Sequence, residues 1–288
     1  MENQEQDTKI RTIVYVCPVD HNGTSLFIKG WISPKNRNQT TPVILVHDLD
    51  ESTDDYVEFA EKLADAGFNV YCFEMRIQSK LMKASAILNF DILSSDLLQV
   101  VAWIKHKELG KKPIIVGQGL GSLVCLYFTQ NFSKFCAGVV FASPLFSLHE
   151  VVKPLKRFSI RTLAQVAPLL STPHWLSFNF SDPLKKDTKK RKGRLPLYFT
   201  QELLIAISRS HKLFSRVSIP TLLLCPDIDA VCRYDFLKRL ISKHKDEDKI
   251  SMVMFDSEGH QILNRGEEFL PSVLRILIPW LQTHGNQY

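Results

Sequence analysis

Short apolar segments alternate with longer amphipathic segments along most of this chain. Segments 12–17 and 26–32 alternate between apolar and polar residues, and Asn22-Gly23 between them is typical of a tight turn, so we predict an antiparallel hairpin. The strands predicted next are 43–47, 69–73, 113–117, 137–142, 219–225 and 250–255, and the predicted helices include 54–66 and 90–106. This alternation indicates an α/β fold, a mostly parallel sheet with helices on both faces.

The alternation stops between about 147 and 209, in a helix-prone segment that is unusually apolar for an insertion. We expect most of its apolar residues to attach the insertion to the rest of the protein, and some to line a slot for an apolar ligand. Because no internal repeat is visible, we predict a polar tail at 1–11 and a single domain at 12–288. The apolar residues are Val151, Val152, Leu155, Phe158, Leu163, Val166, Leu169, Leu170, Trp175, Leu176, Phe178 and Phe180.

The composition predicts a globular protein without a membrane-spanning helix. The 288 residues are 45% apolar, enough for one large core. No apolar run reaches 18 residues, and residues 1–9 are polar and lack a hydrophobic signal core. We therefore expect a cytoplasmic protein.

Six cysteines lie mostly in apolar segments, and they lack the paired spacing of a metal site. We expect them to be reduced core residues, including Cys232, which lies next to a candidate site described below. The glycines at 117–121 are not followed by the Lys-Ser/Thr of a phosphate-binding loop. We predict neither a metal nor a cofactor.

Positive charge is concentrated in residues 185–194, which carry seven basic residues and one acidic residue. This segment alone accounts for the formal net charge of +6, so the remainder of the chain is neutral. It is interpreted either as a solvated loop or as peripheral contact with an anionic membrane; a nuclear address is a further option. Without interleaved aromatic residues, nucleic acid is not expected. The basic residues are Lys185, Lys186, Lys189, Lys190, Arg191, Lys192 and Arg194.

A glycine-rich turn joins the predicted strand at 113–117 to a helix. Its spacing, Gly117-Gln-Gly119-Leu-Gly121, matches the nucleophile elbow Gly-x-Ser-x-Gly, in which a strained turn presents a serine hydroxyl. Gly119 stands where the serine would be. The flanking glycines that relieve crowding are present, and the attacking atom is absent.

Asp229 and His260 follow the last two predicted strands. They come after the elbow in the order nucleophile, acid, histidine. Because the carboxyl ends of parallel strands lie at one edge of a sheet, we expect the two side chains to meet beside Gly119.

On these motifs the chain resembles the monoacylglycerol lipase and lysophospholipase branch of the α/β-hydrolases, of the serine aminopeptidase S33 type, over about residues 12–281. The resemblance implies that Gly119 occupies the nucleophile position, Asp229 the acid position and His260 the base position. It also implies an oxyanion hole formed by the backbone N–H groups of Leu49 and Leu120. The insertion would be a cap over the site that admits a hydrophobic acyl-type molecule.

The chain departs from the family pattern at four places. Besides Gly119, it has His47-Asp48 where the family usually has His-Gly, and Pro226 where a glycine usually opens the acid loop. At 74–79 it keeps only Glu74 and Arg76 of the usual Asp-x-Arg-Gly-His-Gly. An engineered replacement of the serine would change one place only, so natural loss of the chemistry explains the pattern better.

Three classes of function follow. The first is a non-catalytic protein that binds a lipid-like ligand or a partner in the retained pocket. The second is an active esterase or lipase in which the serine was replaced or bypassed, for example by a water that His260 activates in the space the serine side chain left. The third is a structural interaction module, against which the retained Asp229 and His260 argue.

Overall fold

A computed structural model describes residues 9–19, 23–35, 40–49, 51–77, 88–148, 153–173, 195–266 and 268–285. Its centre is one eight-stranded sheet with the order β1-β2-β4-β3-β5-β6-β7-β8. The strands are β1 Arg11–Pro18, β2 Ser25–Ile32, β3 Val43–Val46, β4 Val70–Phe73, β5 Ile114–Gln118, β6 Gly138–Ala142, β7 Thr221–Ile228 and β8 Ile250–Glu258.

The sheet is antiparallel at one end and parallel over the rest. β2 pairs antiparallel with both β1 and β4, which confirms the predicted hairpin. All pairings from β4 through β3 to β8 are parallel. The carboxyl ends of β3, β5, β6, β7 and β8 therefore lie at one edge, where ligands bind in open α/β sheets.

Helices cover both faces of the sheet, as predicted. Along β3, Ile44 and Val46 join one buried cluster, while Val43 and Leu45 join the other. The first cluster includes side chains of α2, α3 and α5, and the second includes side chains of α1 and α7. The helices are α1 Val57–Asp65, α2 Phe90–Lys107, α3 Leu120–Phe132, α4 Pro154–Val166, α5 Leu197–Phe214, α6 Asp235–Ile241 and α7 Leu270–Gly285.

Two predicted boundaries were wrong in ways that matter for the site. β7 and β8 run on to Ile228 and Glu258, past the predicted ends at 225 and 255. The two strands stay paired beyond an irregularity at Pro226, which brings Ile228 opposite Glu258. The sequence did not predict these longer ends, because local composition does not show which distant segments pair. The helix predicted at 54–66 also begins with a separate 3₁₀ turn, Thr53–Tyr56.

The insertion contributes α4 and α5, which pack together through Ile160, Ala164 and Leu197. The expectation that most apolar residues of the insertion attach it to the body was wrong for α4 and the turn after it. Only the Ile160 and Ala164 face of α4 is buried, so the opposite side chains point to solvent. The exposed apolar residues are Leu155, Phe158, Val166, Leu169 and Leu170.

Some predicted features fall outside the described residues, namely the turn at 20–22, the apolar residues at 175–180 and the basic segment at 185–194. Among the helices that are described, none is both long and apolar enough to cross a bilayer. The six cysteines are all buried and unpaired, as the sequence predicted.

Candidate functional site

The turn between β5 and α3 has the backbone geometry of a nucleophile elbow. Gly119 has φ 53° and ψ −114°, a backbone conformation that residues with a Cβ rarely adopt. A Cβ on Gly121 would come closer than 3.0 Å to the carbonyl group of Val46, and one on Gly117 would also come closer than 3.0 Å to the backbone of Gly121. The flanking glycines therefore allow α3 to begin directly against β3.

The carboxyl group of Asp48 sits in front of this turn. Its Oδ1 accepts two hydrogen bonds, from the backbone N–H of Leu120 at 2.7 Å and from that of Leu49 at 2.8 Å. These are the two N–H groups that the family resemblance implies for an oxyanion hole. They converge on one point, and the oxygen of Asp48 lies there. Asp48 is only 4% exposed.

Asp48 also occupies the space that a side chain at position 119 would need. A Cβ on Gly119 would come closer than 3.0 Å to Cγ, Oδ1 and Oδ2 of Asp48. The idea that His260 activates a water in that space was therefore wrong, because a carboxyl group fills it. In the sequence, Asp48 was a departure from the usual His-Gly, next to Leu49 of the expected oxyanion hole, and its place inside the hole was not predicted.

Asp229 and His260 meet as the sequence predicted, just beyond the ends of β7 and β8. Oδ2 of Asp229 lies 2.8 Å from Nδ1 of His260 and also accepts a hydrogen bond from the hydroxyl of Tyr234. Its Oδ1 accepts hydrogen bonds from the backbone N–H groups of Val231 and Cys232, at 2.7 and 3.0 Å. The carboxylate is thus fixed in place, and it orients the imidazole ring.

The other side of the ring faces Asp48, with 3.4 Å between Nε2 of His260 and Oδ2 of Asp48. His260 is only 1% exposed. The site therefore brings Asp48, Gly119, Leu49, Leu120, Asp229 and His260 together in one buried cluster. Neither Asp48's orientation nor its contact with His260 was predicted.

Two carboxyl groups change the acid–base behaviour of His260. Burial alone would lower its pKa, but contacts with Cys232 and hydrogen bonds with Asp229 and Asp48 raise it well above 6.5. Burial raises the pKa of the Cys232 thiol to about 11, so that group is neutral at neutral pH. The hydrogen bonds to Asp229 and Asp48 are therefore the contacts that raise the pKa of the imidazole.

The pKa of Asp229 moves in the opposite direction. Burial alone would raise it, but the hydrogen bond and positive charge of His260 outweigh burial, and the hydrogen bond from Tyr234 adds to their effect. The pKa of Asp229 consequently lies below 3.8. Asp229 is an anion and His260 a cation at neutral pH.

A buried polar network holds the loops that carry Asp48 and His260. Glu51 accepts hydrogen bonds from the backbone N–H of Asp48, the side-chain amide of Gln118 and that of Asn264, at 3.0, 3.1 and 2.7 Å. The side-chain oxygen of Gln118 accepts from the backbone N–H of Leu263 at 2.9 Å. This network was not predicted from the sequence. Its one local signal is Gln118, a polar residue that ends an otherwise apolar strand.

Asp229, Cys232 and His260 also form a cluster of potential metal ligands. Their donor atoms lie within 4.8 Å of one another, and all three residues are buried. Two of the donors, Oδ2 of Asp229 and Nδ1 of His260, already share a hydrogen bond. Spacing alone did not reveal the cluster, because its members come from two separate strand ends.

Known proteins resemble this chain in both sequence and fold. The family model "Hydrolase_4: Serine aminopeptidase, S33" matches residues 37–267. Monoglyceride lipase from Mus musculus is 24% identical over 278 residues, covering 91% of this chain and 88% of the relative.

Two solved structures have the same fold. A monoacylglycerol lipase from Paleococcus ferrophilus has a TM-score of 0.70 and 22% identity, covering 91% of this chain and 100% of that one. A soluble variant of monoglyceride lipase from Saccharomyces cerevisiae, in complex with a substrate analog, has a TM-score of 0.76 and 14% identity, covering 98% and 97%.

Proposed function

Since the chain belongs to the serine aminopeptidase S33 family, in the monoacylglycerol-lipase-like branch of the α/β-hydrolases, we propose that it binds a hydrophobic acyl-type ligand and has lost serine-ester chemistry. In this proposal Gly119 occupies the nucleophile position, Asp229 the acid position and His260 the base position. Leu49 and Leu120 supply the oxyanion hole.

The observation that carries the proposal is the position of Asp48. Serine hydrolases need a hydroxyl at the elbow and two free N–H donors for the charge that develops on the substrate oxygen. Here position 119 has no side chain, and Oδ1 of Asp48 accepts from both donors. A substrate oxyanion would have to displace the carboxyl group of Asp48 from the two N–H donors, and the displaced carboxylate would repel it. Acyl transfer by the serine route is therefore blocked twice.

An acyl-type ligand is supported by the surroundings of the site. Leu49, Leu120, Leu145 and Val231 all belong to the larger buried apolar cluster. Leu145 is also tied to the elbow, because its backbone N–H donates to the carbonyl of Gly119 at 3.3 Å. Apolar surroundings of this kind favour alkyl chains. The related proteins named above are lipases for monoglycerides, which agrees with such a ligand.

Binding and turnover must be measured separately to test this proposal. We expect a fluorescent long-chain fatty acid and a non-hydrolysable monoacylglycerol ether to bind, with no release of fatty acid from the corresponding ester. The variant Leu145→Trp enlarges a buried side chain beside the elbow and should weaken binding. Asp54→Asn changes an exposed carboxylate and is the matched control.

Each alternative class of function predicts a different result. Ester turnover that is lost in His260→Gln would identify an active hydrolase. A folded protein that binds neither probe would favour the structural interaction module.

Peripheral membrane contact is a separate part of the proposal. On α4, Leu155, Phe158 and Val166 are exposed, and Phe158 is 66% exposed. Basic residues Lys153, Arg157 and Arg161 are exposed beside them, and α4 contains no acidic residue. An apolar stripe flanked by cations is typical of helices that lie on anionic bilayers. Together with the basic segment at 185–194, this helix supports a membrane-facing cap.

A further inference from the structure

The two carboxyl oxygens of Asp48 lie in different chemical environments. Oδ1 is held by the N–H groups of Leu49 and Leu120, as the carbonyl oxygen of a bound acyl group would be. Oδ2 lies 3.4 Å from Nε2 of His260. The carboxyl carbon is therefore positioned between an anion-stabilising pair of donors and an acid–base group.

We propose that Asp48 is itself a nucleophile, whose Oδ2 opens an epoxide carried on an apolar chain and whose resulting ester is hydrolysed by water. Carboxylates serve as nucleophiles in enzymes that form covalent intermediates. This activity goes beyond ligand binding and does not use the lost serine chemistry. The attacked atom is a saturated carbon, so no acyl oxyanion of the substrate has to enter the filled hole.

The position of His260 suits an epoxide, because the oxygen released from the attacked carbon stays on the product and needs a nearby proton donor, and Nε2 of His260 lies 3.4 Å from Oδ2 of Asp48. When Oδ2 forms its bond to carbon, the ring C–O bond breaks and its electron pair stays on the ring oxygen. That oxygen needs one proton, and the Nε2–H group of His260 next to Oδ2 supplies it. Esterification simultaneously removes the negative charge of Asp48 next to the imidazole, so the ring loses its proton more readily. The products are a hydroxyalkyl ester of Asp48 and a neutral His260.

Hydrolysis of this ester uses the same residues in new roles. Neutral His260, oriented by Asp229, takes a proton from water as the water oxygen bonds to Cγ of Asp48. The negative charge develops on Oδ1, which already accepts from Leu49 and Leu120. The ester C–O bond breaks, and the departing oxygen takes the proton from His260. Asp48 then returns its carboxyl proton to His260, so the net reaction is epoxide plus water to diol.

The origin of the added oxygen tests this route. The full chain is incubated with substoichiometric 1,2-epoxydodecane in ¹⁸O-water, so that each site turns over at most once. We expect ¹⁸O in the peptide that contains Asp48 and an unlabelled diol. Label in the diol would mean direct attack by water and would overturn the proposal.

Three variants complete the test. Asp48→Asn should form neither adduct nor diol, whereas Asp54→Asn, an exposed control, should behave as wild type. His260→Gln should retain an ester on Asp48 that intact-protein mass spectrometry detects, because hydrolysis lacks its base. Diol formation by Asp48→Asn at the wild-type rate, or a folded wild type with neither adduct nor diol, would refute the proposal. Fatty-acid binding, measured in parallel, would still report on the proposed ligand.

Discussion

Asp48 and His260 are in contact in the interior of the protein, with 3.4 Å between Oδ2 and Nε2. Asp229 holds the opposite side of the same ring at 2.8 Å. The imidazole is thus enclosed between two carboxyl groups, one from the loop after β3 and one from the loop after β7. Because Asp48 contacts the ring directly, a change in the side chain at position 48 should change the pKa of His260.

Replacing Asp48 by asparagine should lower the pKa of His260. The amide keeps the shape of the side chain and removes its negative charge, so the imidazolium loses one of its two anionic partners. Titration of the histidine resonances by NMR from about pH 5 to pH 9 measures the change. Asp54→Asn, on an exposed side chain, should leave the resonance unaffected. An identical pKa in Asp48→Asn would show that Asp48 does not interact with the ring in solution.

The free energy of unfolding should fall as the pH rises above neutral. His260 has a folded pKa well above 6.5, so its contribution is complete below about pH 6.5 and is lost as the pH rises through the folded value. Asp229 has a folded pKa below 3.8, so its contribution is complete above that pH and is lost on acidification. Urea unfolding at several alkaline pH values should therefore show a steeper loss for wild type than for His260→Gln. Parallel curves would contradict the raised pKa.

Restoring the serine alone should give little esterase activity. In Gly119→Ser the new Cβ collides with the carboxyl group of Asp48, which must leave the oxyanion hole or prevent the hydroxyl from reaching His260. The double variant Gly119→Ser with Asp48→Gly removes this conflict and frees both donors. Loss of one such donor costs about 10²–10³ in rate, so the double variant should exceed the single variant at least tenfold on p-nitrophenyl butyrate.

Asp48→Gly alone is the control for this series, and it should remain inactive because it has no nucleophile. A fast single variant would mean that position 119 was the only lesion. The other departures from the family pattern would then no longer support a natural loss of the chemistry.

Wild-type protein should resist serine-directed fluorophosphonate probes. Ser122 is the serine next to the elbow, and its hydroxyl is buried and donates to the carbonyl of Gly117 at 2.6 Å. The variant Gly119→Ser with Asp48→Gly is the positive control. Stoichiometric labelling of a serine near the site in wild type would overturn the assignment of Gly119 as the empty nucleophile position.

Binding to liposomes should require acidic lipid and weaken with salt, since exposed charges are screened within about 8–10 Å at physiological ionic strength. Replacing Lys189, Lys190, Arg191 and Lys192 by alanine should reduce co-sedimentation, and so should serines at Leu155 and Phe158. Alanines at the exposed Lys238, Lys243 and Lys245 are a control that removes charge elsewhere. Equal binding to neutral and anionic vesicles would support the interpretation of the basic segment as a solvated loop.

The sequence predicted those parts of the site that depend on local pattern. Three glycines at fixed spacing defined the elbow, and Asp229 and His260 were found because they follow predicted strands. The orientation of Asp48 was not predictable in this way. It depends on space left by Gly119, on N–H groups from two separate segments and on the ring of His260, which only the folded chain brings together. The exposed face of α4 was missed for a similar reason, because apolarity does not reveal how much partner surface is available.

The close approach of Gly119 and Asp48 also constrains the history of the site. A serine at 119 and the present rotamer of Asp48 cannot coexist, because a Cβ at 119 would overlap the carboxyl group. If a serine once stood at position 119, its side chain was lost before, or together with, the movement of the carboxyl group of Asp48 into its present position. With the present rotamer of Asp48, a serine at 119 alone does not give a serine-type site. A serine-type site therefore requires substitutions at both position 119 and position 48, and neither substitution alone is sufficient.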